Sequence, residues 1–305
     1  MATQQFTPER YYVTLGNHEP VLRIADGDTV VTSTLDAQGY DAAETRRSEG
    51  SNPMTGPFYV EGAEPGDALV VTLDRIEPNR EYGWARTIVA PNVLDPEYVY
   101  ALPPEDDWQF ARWRVDTRAE TATLVEPADT MLGQLTIPIR PMVGCFGVAP
   151  PHSQAISTAT SGEYGGNMDY RGFVAGVTVR FPVFETGALF HIGDVHAVQS
   201  DGEIGGTGIE ISSEVEFSVR VEKNATLSWP WADDPRYILT VGNARPLDQA
   251  VQHATTEMLR RLRHQFRLDP ASARILMGQC AQYDVGNIYD PAYTMVCKLP
   301  KHLLP

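Results

Sequence analysis

The sequence predicts a mainly β protein: a β-sandwich or jelly-roll-like body with a smaller α/β part at its C-terminal end. Three observations predict it. Between residues 214 and 222, Val215, Phe217, Val219 and Val221 alternate with Glu216, Ser218 and Arg220, the period of two of a half-buried strand. The 23 prolines and 25 glycines punctuate the chain at intervals typical of sandwiches and barrels. Beyond Pro246 the apolar residues recur instead at spacings of three and four, which is a helical period.

Taken in order, Gly27-Asp28 and Gly66-Asp67 are turn signals that introduce strands over residues 29–33 and 68–73. The two stretches are alike but too short to call a repeat. Residues 105–113 carry two tryptophans and several acids with no period, and read as a loop. Leu247, Ala250, Val251, Ala254, Met258, Leu259, Leu262 and Phe266 build one apolar helical face. Asp269-Pro270 supplies an N-cap and a first-turn proline for a second, shorter helix. Residues 293–299 close the chain as a strand. The expected parts are 1–140, β-rich; 141–245, β-rich and carrying the chemistry; and 246–305, helical with a strand.

Composition narrows the function. The 40 acids outnumber the 24 lysines and arginines, for a net charge of −16. Such a field repels nucleic acid and anionic membrane surfaces and favours a small neutral substrate. No apolar run is long enough to cross a bilayer, and no basic stretch followed by an apolar one marks a secretory signal, so a cytoplasmic location is expected. The three cysteines, Cys145, Cys280 and Cys297, are an odd, scattered set unlike a disulfide framework. Only Lys223, Lys298 and Lys301 are available to an enzyme that depends on a catalytic lysine.

The chemistry concentrates between Asn167 and Glu203. Asp194 and His196 are two apart, so in a strand both leave the same face. A carboxylate and an imidazole there suit a divalent metal, with zinc the first choice by ligand type. His191 would face the other way unless a bulge at Gly193 brings it round. Asp201-Gly202 is a tight-turn signal that should fold Glu203 back toward the pair. A glycine-rich turn presents Asn167 and Asp169, again two apart. Glu203 is the candidate general base, with Asp201 and Asn167 as further catalytic candidates. His191, Gln199 and Tyr164 are candidates for the substrate pocket. The plain readings stand beside these: an Asp-x-His pair is common without metal, and Asp201 with Glu203 can be a solvated hairpin tip.

The chain resembles the acetamidase/formamidase family along nearly its whole length. The resemblance rests on Asn52-Pro-Met-Thr-Gly-Pro57 with Val60-Glu-Gly-Ala-Glu-Pro-Gly-Asp67, on Cys145-Phe-Gly-Val-Ala-Pro150 and on Gly165-Gly-Asn-Met-Asp169. Gly187-Ala-Leu-Phe190, Gly193-Asp-Val-His-Ala197 and Asp201-Gly-Glu203 complete it, in the same order. It implies hydrolysis of short amides, in some relatives of γ-lactams, together with a metal centre, a β-rich fold and a homo-oligomer. It also implies metal ligands at Asp169, Asp194 and His196 and an acid–base role for Glu203. His191, where a small residue is usual, and Ser200, where glycine is frequent, depart from the pattern.

Two rivals remain open. Cys145 offers a nucleophile with His152 or His196 as base. Acidic turns such as 26–28 and 201–203 would suit calcium, either in a non-enzymatic β-domain or as an addition to a catalytic metal, although imidazole is a poor calcium ligand. Tyr82-Gly-Trp84 and Trp229-Pro-Trp231 read as core or subunit contacts rather than as pocket walls.

Overall fold

The computed structural model describes residues 2–102 and 110–305. Among them the strands form sheets of nine, six, four and two, and the two largest face each other across the main core. The nine-stranded sheet runs Thr3–Gln5, Thr29–Thr34, Ser213–Glu222, Ala68–Pro78, Thr178–Pro182, Trp231–Asp233, Tyr237–Ala244, Tyr293–Pro300 and Gln282–Val285. The six-stranded sheet runs Ser161–Gly162, Gly165–Asn167, Met142–Gly147, Phe190–His196, Thr55–Val60 and Leu22–Ile24. Both therefore take strands from before and after residue 140. None of the described helices is long and apolar enough to cross a membrane.

The alternation read over residues 214–222 is a strand, Ser213–Glu222. It pairs on one side with Ala68–Pro78 and on the other with Thr29–Thr34. Its Val215, Phe217 and Val219 enter the core, while Glu214 and Glu216 turn outward to Arg75. Rings meet between the sheets: Phe58 and Phe190 lie 5.3 and 5.1 Å from Phe217, and Phe146 lies 5.3 Å from Phe181. Their edge-to-face and tilted contacts add to the burial that holds the sandwich closed.

The helical period is the helix Leu247–Phe266, which covers the outer face of the nine-stranded sheet. The strand beneath explains the arrangement. Leu239 and Val241 point into the sandwich, whereas Ile238 packs with Ala254, Met258 and Leu262 of the helix. Asp269 caps the next helix, Pro270–Cys280, by accepting from the N–H groups of Ala271 and Ser272.

Two expectations are corrected. Of the loop expected over residues 105–113, 105–109 lie outside the described residues, and Phe110 begins the strand Phe110–Asp116, paired with Tyr82–Arg86 and Thr121–Glu126. Its burial alternates weakly because the four-stranded sheet covers only a small satellite core, so a period of two was not visible in the sequence. Trp231 is a core residue as expected, whereas Tyr82 and Trp84 are only half-buried and line cavities, so they are not core.

Candidate active site

The strand Phe190–His196 is the spine of the site. Phe190, Ile192 and Val195 all enter the core, so the alternation slips by one near Asp194, whose φ is 57°. The slip places Asp194 and His196 together on the face away from the core, both buried. Asp169 (φ 40°) and Glu203 (φ 45°) are also left-handed. Three carboxylates in one cluster thus sit in a backbone region that costs on the order of 1 kcal/mol or more for a residue with a side chain. Such strain persists only where surrounding structure enforces it.

Asp169, His196 and Glu203 each offer a ligand atom within 4.8 Å of the others, and so do Asp194, His196 and Glu210. His196 belongs to both groups. Its Nε2 lies 3.0 Å from Glu210 Oε1 and 3.5 Å from Asp194 Oδ1. Its Nδ1 is 2.9 Å from Gln199 Oε1. The Gln199 amide nitrogen donates to the carbonyls of Asp169 and Gly286, so its oxygen can only accept and the imidazole must donate from Nδ1. That fixes Nε2 as the nitrogen facing the carboxylates, the arrangement of a metal-binding histidine.

Electrostatics point the same way. Burial, then Glu203 and Asp194, hold the Asp169 carboxyl well above its ordinary value, and burial with Asp290 does the same to Glu203. Burial pushes Glu210 to about 7 and Asp290 to about 6. At His196 burial opposes the charge, yet Glu210 and Asp194 outweigh it and raise the imidazole well above its usual range. Both oxygens of Asp169 and one each of Glu203 and Glu210 are buried without a hydrogen-bond partner, and His196 Nε2 faces only carboxylates. Polar atoms in that state are costly unless a further group satisfies them. A divalent cation fits this donor set, and the imidazole favours zinc-like ions over calcium.

Above the cluster lies a cleft of about 220 Å³ whose lining includes Asn52, Asn167, Asp194, Glu203, Glu210 and Asp290. Asn52 donates to Asn167 Oδ1 (2.8 Å), to the Thr158 carbonyl (2.9 Å) and to Asp194 Oδ2 (3.3 Å). Asn167 in turn donates to Asp290 Oδ2 at 2.7 Å. The amide side chains thus tie three acid-bearing segments together.

The structure brings together Asn167, Asp169, Asp194, His196 and Glu203. The other sequence candidates lie elsewhere. Asp201 is exposed and paired with Arg171 Nε at 2.5 Å. Gln199 is buried behind the cluster, holding His196. Tyr164 is buried among the glycines of its own turn. His191 is fully buried, with Nδ1 against the Leu189 carbonyl and its ring edge-on to His18. Glu210 and Asp290 join the site although the sequence reading passed over them. The one local signal for Glu210 is an acid set between Ile209 and Ile211, both buried. Asp290 has none, since it arrives from a loop about 90 residues beyond His196.

The rival nucleophile fares poorly. Cys145 is fully buried, its Sγ is 3.7 Å from the Thr158 carbonyl, and burial followed by Asp194 and Asp169 pushes the thiol up. A thiolate is the reactive form, and this position disfavours it. Lys223, Lys298 and Lys301 each pair with a carboxylate away from the cluster.

The family model of the acetamidase/formamidase family matches residues 17–154 and 151–247. The acetamidase of Mycolicibacterium smegmatis is 27% identical over 246 residues, covering 64% of this chain and 59% of its own. The chain spans about six tenths of the length of the curated relatives it matches. The solved acetamidase of Yersinia enterocolitica is similar over 99% of this chain and 93% of its own, with 30% identity and a TM-score of 0.85. The γ-lactamase of Delftia acidovorans is 18% identical at a TM-score of 0.61, over 100% and 93% of the two chains, a likeness of fold alone.

Proposed function

The chain belongs to the acetamidase/formamidase family, and from that premise we propose that it hydrolyses small neutral amides to carboxylate and ammonia at the Asp169–Asp194–His196–Glu203 cluster. One observation carries the reading. Buried, unpartnered carboxylate oxygens and the imidazole nitrogen that faces their cluster converge below a cleft walled by Asn52 and Asn167.

Asp169, Asp194 and His196 would hold a divalent ion, zinc by donor type; Asp194 and His196 share one ligand group with Glu210, and Asp169 shares another with His196 and Glu203. When bound, such an ion polarises the amide carbonyl and acidifies a water. Glu203, which lines the cleft, takes the proton of the attacking water as a carboxylate. It passes that proton to the amide nitrogen as the C–N bond breaks, so the acyl carbon leaves as carboxylate and the nitrogen as ammonia. Asn52 Oδ1, buried without a partner on a cleft-lining residue that Asn167 holds in place, is suited to accept from the carboxamide N–H. The negative field of the chain disfavours anionic substrates.

The test is metal content and ammonia release from formamide and acetamide, on wild type and His196→Ala together. Bound zinc and turnover, both lost in the variant, are expected. Full metal and full turnover in His196→Ala would remove this site from consideration.

A further inference from the structure

The cleft does not end at the carboxylates. Gln38, Trp84 and Phe110 line both it and a second cavity of about 400 Å³, which continues past Tyr82, Arg80 and Arg112. Formamide or acetamide seated at the cluster would leave that second space unused.

The shared wall is aromatic and fixed. Trp84 and Phe110 meet edge-to-face, with ring centroids 5.1 Å apart at 89°. The indole Nε1 donates to Asp36 Oδ2 at 3.0 Å, and Asp36 is itself clamped by Arg80 at 2.5 Å, with both of those side chains buried. The Trp84 backbone exchanges hydrogen bonds of 3.1 and 2.8 Å with Glu210, whose carboxylate lies 3.0 Å from His196 Nε2. The indole is therefore set in register with the reacting cluster. Phe110, in contrast, keeps 51% of its surface exposed. At the far end Arg112 lies over the Tyr82 ring, 3.9 Å from its centroid. The two guanidinium groups of the second cavity are thus engaged already, by Asp36 and by the Tyr82 ring, while Glu44 and Glu126 add negative charge to its lining. An anionic substituent is disfavoured there, and an uncharged ring is not.

Resting on the amidase reading, we infer that the preferred substrate is a primary amide whose acyl group carries an aromatic ring, with the carboxamide at the cluster and the ring against Trp84 and Phe110. Offset and edge-to-face ring contacts and the burial of the exposed Phe110 face supply the preference. Trp84 and Phe110 are specificity-determining residues in this assignment.

The experiment is calorimetric binding of phenylacetamide and acetamide to the metal-loaded protein, alongside kcat/KM for both, on wild type, Phe110→Ala and Phe110→Leu. Phenylacetamide is expected to bind about 10-fold tighter or more than acetamide, a factor corresponding to about 1.4 kcal/mol. That ratio should collapse toward one in Phe110→Ala and be partly restored in Phe110→Leu. Equal affinity for the two amides in wild type, or a ratio unchanged in both variants, overturns the inference. If the ring-dependent binding is found but neither amide is hydrolysed, the ring site stands and the amidase reading falls. If acetamide is hydrolysed and the ring confers nothing, the reverse holds.

Discussion

At the scale of single residues the site depends on uncharged side chains as much as on its acids. Asn52 is the clearest case, since one buried amide group reaches Asn167, Thr158 and Asp194. Asn52→Ala is expected to lower kcat for the amide about 10-fold to 100-fold, the usual cost of losing a group that orients a ligand. Circular dichroism should show an intact fold, and unchanged turnover would show that Asn167 and Asp194 hold their positions unaided. Asn52 opens one of the motifs that carried the family resemblance, but spacing assigned it no role, because its partners lie more than 100 residues away. That Asp169, Asp194, His196 and Glu203 would come together was legible for the opposite reason: glycines and pairs of ligand types mark them within short stretches. The left-handed conformations of Asp169, Asp194 and Glu203 were not legible, since nothing local announces a strained acid.

At the scale of elements, two glycines decide what can lie beside what. Gly144 stands on Met142–Gly147, beside the strand that carries Asp194. A Cβ there would fall 2.4 Å from Asp169 Oδ1 and 2.9 Å from Asp194 Oδ2. Gly144→Ala is therefore expected to give a folded protein that has lost metal and amide turnover together, read by elemental analysis and ammonia release. A variant with normal metal content would mean that the two carboxylates can part without losing the site. Gly242 has a different task. A Cβ there would lie 2.2 Å from the Ala250 carbonyl oxygen and 2.5 Å from the Ala254 nitrogen, both backbone atoms of the covering helix. Gly242→Ala should cost about 1–3 kcal/mol in urea unfolding, because helix and strand must separate. The helix was readable from its apolar face, but Arg261 on it was not. An arginine is ordinarily solvated, whereas this one is fully buried, donating to the Ala232 and Leu239 carbonyls and pairing with Asp233. Only the sheet beneath explains it.

At the scale of the whole molecule, buried charge sets how stability should vary with pH. Asp67 is held below the ordinary carboxylate value: burial raises it, but Lys223 and the N–H groups of Glu64 and Asn224 prevail. The N–H groups of Ala2 and Ala25 depress Asp28 likewise. A depressed folded value means stability that is present above the unfolded value, 3.8, and lost as pH falls below it. The cluster acts with the opposite sign. Glu210 rises from 4.5 to about 7 and Asp290 from 3.8 to about 6, so the metal-free folded state holds protons that the unfolded chain releases. Asp169 and Glu203 are raised too, and His196, also raised, loses its stabilising charge as pH climbs. The four carboxyls make the chelated protein lose stability as pH rises above about 4, and His196 adds to the loss only above 6.5. A divalent ion bound there would supply the missing positive charge to the ionised carboxylates and remove the reason for that decline. Calorimetry at pH 5.5 and pH 8, with and without chelator, is the measurement. The expected result is a metal-dependent gain in Tm that is larger at pH 8, with the chelated protein melting lower at pH 8 than at pH 5.5. A chelated protein that is more stable at pH 8 would mean that the cluster is already neutralised from within, and that the metal-centred reading of the site is wrong.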